Sequence, residues 1–252
     1  MLGQRKTMKA KTAKQLGFIL YEGPSALDCA PIVVIATLET SNAKTGNMIQ
    51  TWIIRSDINP LEASALALDV AICGHCPHRR ATGGACYVNI GQAPMGIFKA
   101  YQRGRYPKFN LEDHAHYFAG RKIRLGAYGD PAAAPFGAWQ HALDLTSGHT
   151  GYTHQINHKG FDRRYLKVCM VSADSPRQAL KFQAQGAKTF RVAMASDDLF
   201  ASEIECRADS DGIQCIDCGL CDGARQNIAI AVHGSLASRF KTSLIASTGT
   251  GA

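Results

Sequence analysis

Strand-like and helix-like segments alternate along the chain from about residue 120, and this alternation constrains the fold more than any other feature. The strand-like segments read KIRLGAYG, GYTHQI, RRYLKVCMVSA and KTFRVAM, and the helix-like ones read PFGAWQHALDL and SPRQALKFQAQG. Gly and Pro separate them. Such alternation is typical of parallel strands joined by crossover helices. It predicts an α/β fold built as a partial or irregular (β/α) barrel, with an open α/β sheet as the alternative.

The portion before this region is β-rich, because β-branched and aromatic residues dominate three segments that turn formers separate. The predicted strands of this portion cover residues 16–21, 31–38 and 48–55. A predicted helix over 59–70 leads into Cys73. Residues 227–235 supply one more strand after a Cys-rich C-terminal loop. The whole of 16–252 is therefore predicted to be a single α/β domain.

Residues 1–15 are predicted to form a basic, flexible tail. The chain has a net charge of +8, and nucleic acid is a partner that such a charge brings into consideration. No aromatic-rich binding motif accompanies the tail, so nucleic acid ranks below a metal-dependent function. The tail lacks the apolar core of a secretory signal, and no apolar run is long enough to cross a bilayer. These features predict a cytoplasmic protein without a membrane partner.

Four of the nine cysteines lie in the segment CRADSDGIQCIDCGLCDG. Cys215, Cys218 and Cys221 have the C-x2-C-x2-C spacing of a loop that reaches neighbouring corners of a [4Fe-4S] cluster, and Cys206 is a suitable fourth ligand. Zinc is the alternative cofactor. Structural zinc sites usually draw on two separated C-x-x-C pairs, whereas three closely spaced cysteines crowd one side of a single ion. The spacing therefore favours the [4Fe-4S] cluster.

A second group of cysteines lies in CGHCPHRRATGGACYVN. Cys73, Cys76 and Cys86 could hold zinc together with a nearby histidine, or could leave one iron of a cluster open for substrate. A Gly-rich turn with reduced thiols is the structural alternative. His75 is predicted to be a surface residue. The two remaining cysteines, Cys29 and Cys169, are predicted to lie in the core.

Two other motifs in the chain lack the spacing that their known functions require. Radical chemistry with S-adenosylmethionine typically requires C-x3-C-x2-C, and neither cysteine group has that spacing. SNAKTG at 41–46 contains both S-x-x-K and K-T-G, which lie on separate elements in penicillin-recognising enzymes. Here the two motifs share Lys44 within one short turn, so the segment is predicted to be a loop between strands.

Together, the two cysteine segments and RLGAYGDPAAAPFGAW resemble a group of phage-encoded iron-sulfur proteins, the gene-product-eighty-eight-like family. The resemblance extends over about residues 40–235 and is most specific in the C-terminal cysteines. Where members often read C-P-A, this chain reads Cys206, Arg207, Ala208. The resemblance implies a cluster in a radical-SAM-like barrel without the SAM motif, a hydrolytic activity, and a place in the host cytoplasm.

Polar side chains at the predicted strand ends could carry out such a hydrolysis, because active groups in α/β folds lie beyond the carboxyl ends of the strands. His154 would be the general base, Asp130 would orient the water or accept a proton, and Arg191 or Tyr128 would stabilise the oxyanion. Other predicted strand ends hold Ser172, Asp174 and the residues Met194 to Asp197.

The function predicted from the sequence is an iron-sulfur hydrolase acting on a small ester-like molecule at or beside the cluster. Four thiolates saturate a cluster, so an electron-transfer protein with a host or phage redox partner is the alternative. A zinc-stabilised nucleic-acid-binding module is the second alternative.

Overall fold

The structure is a computed structural model that describes residues 14–194, 199–233 and 237–240. Its strands are β1 (Gly17–Pro24), β2 (Pro31–Thr37), β3 (Ile49–Arg55), β4 (Lys122–Tyr128), β5 (Gly148–Thr153), β6 (Met170–Ala173), β7 (Thr189–Ala193), β8 (Glu203–Glu205) and β9 (Asn227–Ala231). Its α-helices are α1 (Pro60–Ala65), α2 (Val70–Cys73), α3 (Ala93–Gln102), α4 (Leu111–His114), α5 (Gln140–Leu145), α6 (Pro176–Ala184), α7 (Arg207–Ser210) and α8 (Cys215–Cys218). Short 3-10 helices cover Arg80–Thr82, Ala115–Tyr117, Pro131–Ala133, Phe136–Trp139, Gln155–Asn157 and Arg163–Lys167.

One mixed sheet contains all the strands of the described residues, in the order β1-β2-β3-β4-β5-β6-β7-β9-β8. The pairs β1-β2 and β2-β3 are antiparallel, and every pair from β3 onward is parallel. The α/β class is therefore confirmed, whereas the sheet is not closed into a barrel. The antiparallel β-rich portion occupies one edge, where the main chain of Ile19 hydrogen-bonds with Pro107 and Phe109.

The two faces of the sheet have different coverings. The face that carries Arg124, Tyr152, Met170 and Phe190, here called the cysteine face, packs against the segment 206–221. On the opposite face, the largest core cluster joins β1–β4 to α2 and the 3-10 helices that follow β4. Farther along this opposite face, α6 packs against β6 and β7.

Several elements differ from the sequence-based prediction. The predicted helix over 59–70 breaks between α1 and α2, where Ala67 has a φ of 60°. Only the second half of RRYLKVCMVSA is a strand, because its first half forms the 3-10 helix Arg163–Lys167. The predicted C-terminal loop contains the one-turn helices α7 and α8. SNAKTG is confirmed as a turn between β2 and β3.

Some predictions fall on parts of the chain that the structure does not describe. They concern the tail up to residue 13, the positions 195–197 beyond β7, and the end of the predicted strand over 227–235. None of the helices in the described ranges has the length and apolar character needed to span a bilayer.

Gly129 offers a test of how tightly the end of β4 packs. Its φ is +81°, and an added Cβ would lie 2.7 Å from Ile53 Cβ and 2.8 Å from the Ile53 carbonyl oxygen. Gly120 has a similar φ of +72° and no heavy atom within 4 Å of such a Cβ. Left-handed backbone alone costs an alanine about 1–2 kcal/mol, and overpacking adds about 1–3 kcal/mol.

We therefore expect Gly129→Ala to lower the free energy of unfolding by at least about 2 kcal/mol, and Gly120→Ala by only about 1–2 kcal/mol. Denaturant titration followed by circular dichroism measures both values. Equal losses in the two variants would contradict the close packing at Gly129.

Candidate metal centre

Backbone hydrogen bonds attach the C-terminal cysteine segment to the turn between β2 and β3. The amide of Cys215 donates to the carbonyl of Lys44 at 3.0 Å, and that of Ile216 donates to Thr45 at 3.2 Å. Gly46, with a φ of +65°, lets Ile216 approach, since a Cβ at this position would lie 2.6 Å from Ile216 Cγ2. The SNAKTG turn, which the sequence predicts to be a loop between strands, therefore positions α8.

The other end of the segment is attached to the parallel part of the sheet. The Gly151 amide donates to the Cys221 carbonyl at 3.1 Å, and the Cys206 amide donates to Ala229 at 2.8 Å. Cys221 packs with Met170 in a small apolar cluster. All four cysteines of the segment are consequently held at the cysteine face.

The four thiols of this segment interact with one another. Burial, together with the charges of Cys206, Cys215 and Cys218, raises the pKa of Cys221 to about 12, against the effect of a hydrogen bond with Tyr152. In the described chain no three cysteine sulfurs lie within 4.8 Å of one another. The thiols are therefore electrostatic neighbours but do not form a closed ligand shell around one point.

Two cations accompany these thiols. Burial raises the pKa of the Cys215 thiol, whereas Arg124 and Lys44 act to lower it. Arg124 donates from Nη2 to the Tyr87 hydroxyl at 2.9 Å and lies 6.0 Å from the centre of the Tyr152 ring. Its Nε is buried and has no hydrogen-bond partner in the described part of the chain. Positive charge is thus available where thiolates would bring negative charge.

The second cysteine group lies in a tight loop that begins at the end of α2. The amide of Cys76 donates to the carbonyl of Cys73 at 3.1 Å, and the amide of Cys86 donates to His78 at 2.8 Å. Arg79 forms a shielded ion pair with Asp69 at 2.5 Å. These contacts fold the loop back and bring the three cysteines near one another. Burial raises the pKa of Cys73, and the charges of Cys76 and Cys86 raise it further.

Asp130 and Gln155 connect this loop to the carboxyl ends of the strands. Asp130 Oδ2 accepts from the His154 amide at 2.8 Å and from Gln155 Nε2 at 3.1 Å, and its Oδ1 accepts from the Ala132 amide at 3.0 Å. Gln155 also donates to the Cys73 carbonyl at 3.0 Å. Both oxygens of the buried Asp130 carboxylate therefore have structural partners.

Tyr128 reaches the second cysteine group from the end of β4. The residue is 4 % exposed, and its hydroxyl has no hydrogen-bond partner in the described chain. Burial raises its pKa strongly, and the charges of Cys73, Asp69 and Cys86 add to the effect. An unpartnered buried hydroxyl beside the thiols of Cys73 and Cys86 is available to a bound group.

Three further side chains converge next to Cys76. His78 Nε2 lies 2.8 Å from Asp174 Oδ1, and His154 Nε2 lies 3.3 Å from the same oxygen. Burial alone would lower the pKa of His154, but hydrogen bonding with Asp174 and Cys76 raises it well above its usual value. His154, which the sequence suggests as a general base, is thus part of a His-Asp-His group.

Arg191 lies apart from the other three predicted catalytic residues. It projects from the face opposite the cysteine face, where its guanidinium forms a buried ion pair with Glu203 at 2.6 Å and lies 4.8 Å from the centre of the Phe200 ring. The structure brings Tyr128, Asp130 and His154 to one edge of the sheet and leaves Arg191 elsewhere.

The remaining cysteine and histidine predictions have mixed outcomes. Cys169 is buried as predicted. The core prediction for Cys29 is wrong, because it lies in the turn before β2 with an exposed side chain and a φ of 64°. His75 is exposed, as predicted for a surface residue.

A cavity of about 470 Å³ opens beside Arg124, between the cysteine face and α3. Trp52, Tyr87 and Gln92 contribute to its walls. Sequence reasoning missed Arg124 and Gln155. A signal for Arg124 existed, because Lys122 and Arg124 are charged residues at alternate positions of a strand that is otherwise apolar.

Comparisons of the chain with models of protein families, with characterised proteins and with solved structures found no match.

The Asp130 network predicts a stability effect that does not depend on any cofactor. Asp130→Asn places an amide donor against at least one N–H group in a buried site, and such a mismatch costs about 1–3 kcal/mol. We expect the free energy of unfolding to fall by that amount. The exposed Asp144, which accepts only from Gln140 at 2.9 Å among the described contacts, is the control, and Asp144→Asn is expected to change stability by less than about 0.5 kcal/mol. A neutral Asp130→Asn would contradict this account.

Proposed function

We propose that the chain is a redox protein that binds a [4Fe-4S] cluster through Cys206, Cys215, Cys218 and Cys221. The observation that carries this proposal is the attachment of a segment with four cysteines to one face of the sheet, where Arg124 and Lys44 act on Cys215. A thiolate-bound cluster is anionic, and nearby positive charge reduces the free energy required to hold it in a partly buried site.

A cluster and a single zinc ion require different arrangements of the thiols. The ligands of one zinc ion surround a common centre, whereas each ligand of a cube binds a different iron. The sulfur atoms interact electrostatically, yet no three of them within the described residues lie inside 4.8 Å. Zinc is the alternative cofactor. The zinc content of the purified protein is one outcome of the test below.

The residues around the thiols have distinct roles in this proposal. When bound, the cluster would supply reversible one-electron transfer. Arg124 and Lys44 would offset negative charge near Cys215, and the Tyr152 hydroxyl would donate a hydrogen bond toward the sulfur of Cys221. Burial by Met170 and Leu220 would limit access of water. Host or phage redox partners fit this role.

The hydrolytic activity that the resemblance implies has less support from the geometry. The oxygens of Asp130 already accept three hydrogen bonds, and Arg191 is paired on the other face. A small-molecule substrate has space in the cavity beside Arg124. Membership in the phage-encoded gene-product-eighty-eight-like family belongs to the same proposal, since it rests on the same cysteine segments.

The first test removes one ligand. We expect anaerobically purified wild type to be brown and to contain iron and sulfide in equal amounts, because four thiolates hold a [4Fe-4S] cube. Cys218→Ala is expected to lose most of both. Cys29→Ala removes an exposed thiol outside both groups and is expected to retain them. Metal and sulfide analysis with the visible spectrum measures the result.

Two outcomes would overturn the cluster proposal. One is colourless protein with stoichiometric zinc, which would support the zinc-stabilised module. The other is equal iron and sulfide in Cys218→Ala and Cys29→Ala, which would place the cluster at other ligands.

The charge of Arg124 predicts a change in redox potential. A cation beside a cluster stabilises its reduced, more negative state. We therefore expect Arg124→Gln to lower the reduction potential, and Arg124→Lys to stay closer to wild type. Arg103→Gln, an exposed position, is the control. Anaerobic dithionite titration followed by electron paramagnetic resonance (EPR) gives the potentials, and an unchanged value in Arg124→Gln would remove this residue from the cluster environment.

A further inference from the structure

His78, His154 and Asp174 come from three separate parts of the chain. His78 belongs to the loop of the second cysteine group, His154 follows β5, and Asp174 follows β6. Sequence separations of 96 and 20 residues divide the two histidines from Asp174. Their convergence is therefore a product of the parallel sheet, which places successive strand ends side by side.

The distances within this group are close to those between ligands of one metal ion. Nitrogen and oxygen ligands lie about 2.0–2.2 Å from zinc, so two neighbouring ligands of one ion lie about 3–3.5 Å apart. The distance from His154 to Asp174 is 3.3 Å, within this range, and that from His78 to Asp174 is 2.8 Å, slightly shorter. One ligand atom from each of the three residues lies within 4.8 Å of the other two.

Further contacts hold each of the three residues in place. The His154 amide donates to Asp130, and the His154 ring is hydrogen-bonded with Cys76. The Asp174 amide donates to Gln178 Oε1 at 2.9 Å. His78 packs against Phe240 with ring centres 5.1 Å apart.

The group is also accessible. The side chains of His78, His154 and Asp174 are 18 %, 19 % and 22 % exposed. This partial exposure lets an ion enter and leaves coordination positions for water or another small ligand. Two imidazoles and one carboxylate suit divalent first-row transition metals, including Fe(II) and Zn(II).

We propose that His78, His154 and Asp174 form a mononuclear site for one divalent first-row transition-metal ion, with positions open to a small exogenous ligand. No cysteine is among its three ligands, so the site is separate from the cluster proposed above. In this arrangement His154 is a metal ligand and not a free general base.

The test measures binding of Co(II) to the full-length, anaerobically purified protein by equilibrium dialysis. We expect wild type to bind one equivalent, and Asp174→Asn and His78→Ala to bind it at least ten-fold more weakly. His116→Ala, at an exposed position outside the group, is the matched control and should bind as wild type does. Circular dichroism of each variant verifies folding.

A second measurement needs no variant. Imidazole N–H protons of Co(II)-bound histidines give strongly shifted, exchangeable proton resonances, and two such resonances are expected in the wild type. Iron and sulfide are determined in the same samples, so that loss of the cluster and loss of this site are recorded separately.

Three results would overturn the proposal: no Co(II) bound by wild type, undiminished binding in both Asp174→Asn and His78→Ala, or binding abolished by Cys73→Ser but unaffected by Asp174→Asn. The last result would assign the ion to the second cysteine group. If the wild type contains no iron or sulfide but still binds Co(II), and Asp174→Asn weakens that binding, the His-Asp-His site is supported and the cluster proposal is rejected.

Discussion

The buried carboxylate of Asp130 joins three parts of the chain at the carboxyl edge of the sheet. It accepts from Ala132, which follows β4, and from His154 and Gln155, which follow β5. Gln155 extends the connection to Cys73 in the loop of the second cysteine group. Because a buried carboxylate must satisfy its acceptor capacity locally, this junction constrains the strand ends and the loop together. The positions of the His-Asp-His group and of Tyr128 depend on it.

The two cysteine groups lie at different parts of the same sheet. The C-terminal group packs on one face beside Arg124 and Tyr152, and the second group lies at the strand ends beside Tyr128. Arg124 connects the two cysteine groups. Its charge acts to lower the pKa of Cys215, and its guanidinium donates a hydrogen bond to the hydroxyl of Tyr87, the residue after Cys86. This arrangement connects the proposed cluster, the cavity and the second cysteine loop within one part of the fold.

Much of the sheet could be predicted from the sequence, because β-branched runs and Gly or Pro punctuation are local signals. The three N-terminal strands and the end of β5 are examples. The break at Ala67 and the three-residue strand β8 could not, since neither depends on a periodic pattern. Similarly, the sequence identified both cysteine groups by their spacing. It did not assign Arg191 to the opposite face, because the face of a strand residue depends on the register with its neighbours.

The attachment of α8 to the turn between β2 and β3 has a consequence for the order of folding. Gln214 donates to Ala43 across a separation of 171 residues, and the neighbouring amides of Cys215 and Ile216 pair with the same turn. Contacts between such distant segments form slowly, because the intervening chain must first be ordered. During synthesis, eight of the sheet's nine strands leave the ribosome before the last three cysteines do. The thiols of α8 and its surroundings therefore reach their folded positions only when most of the sheet has been synthesised.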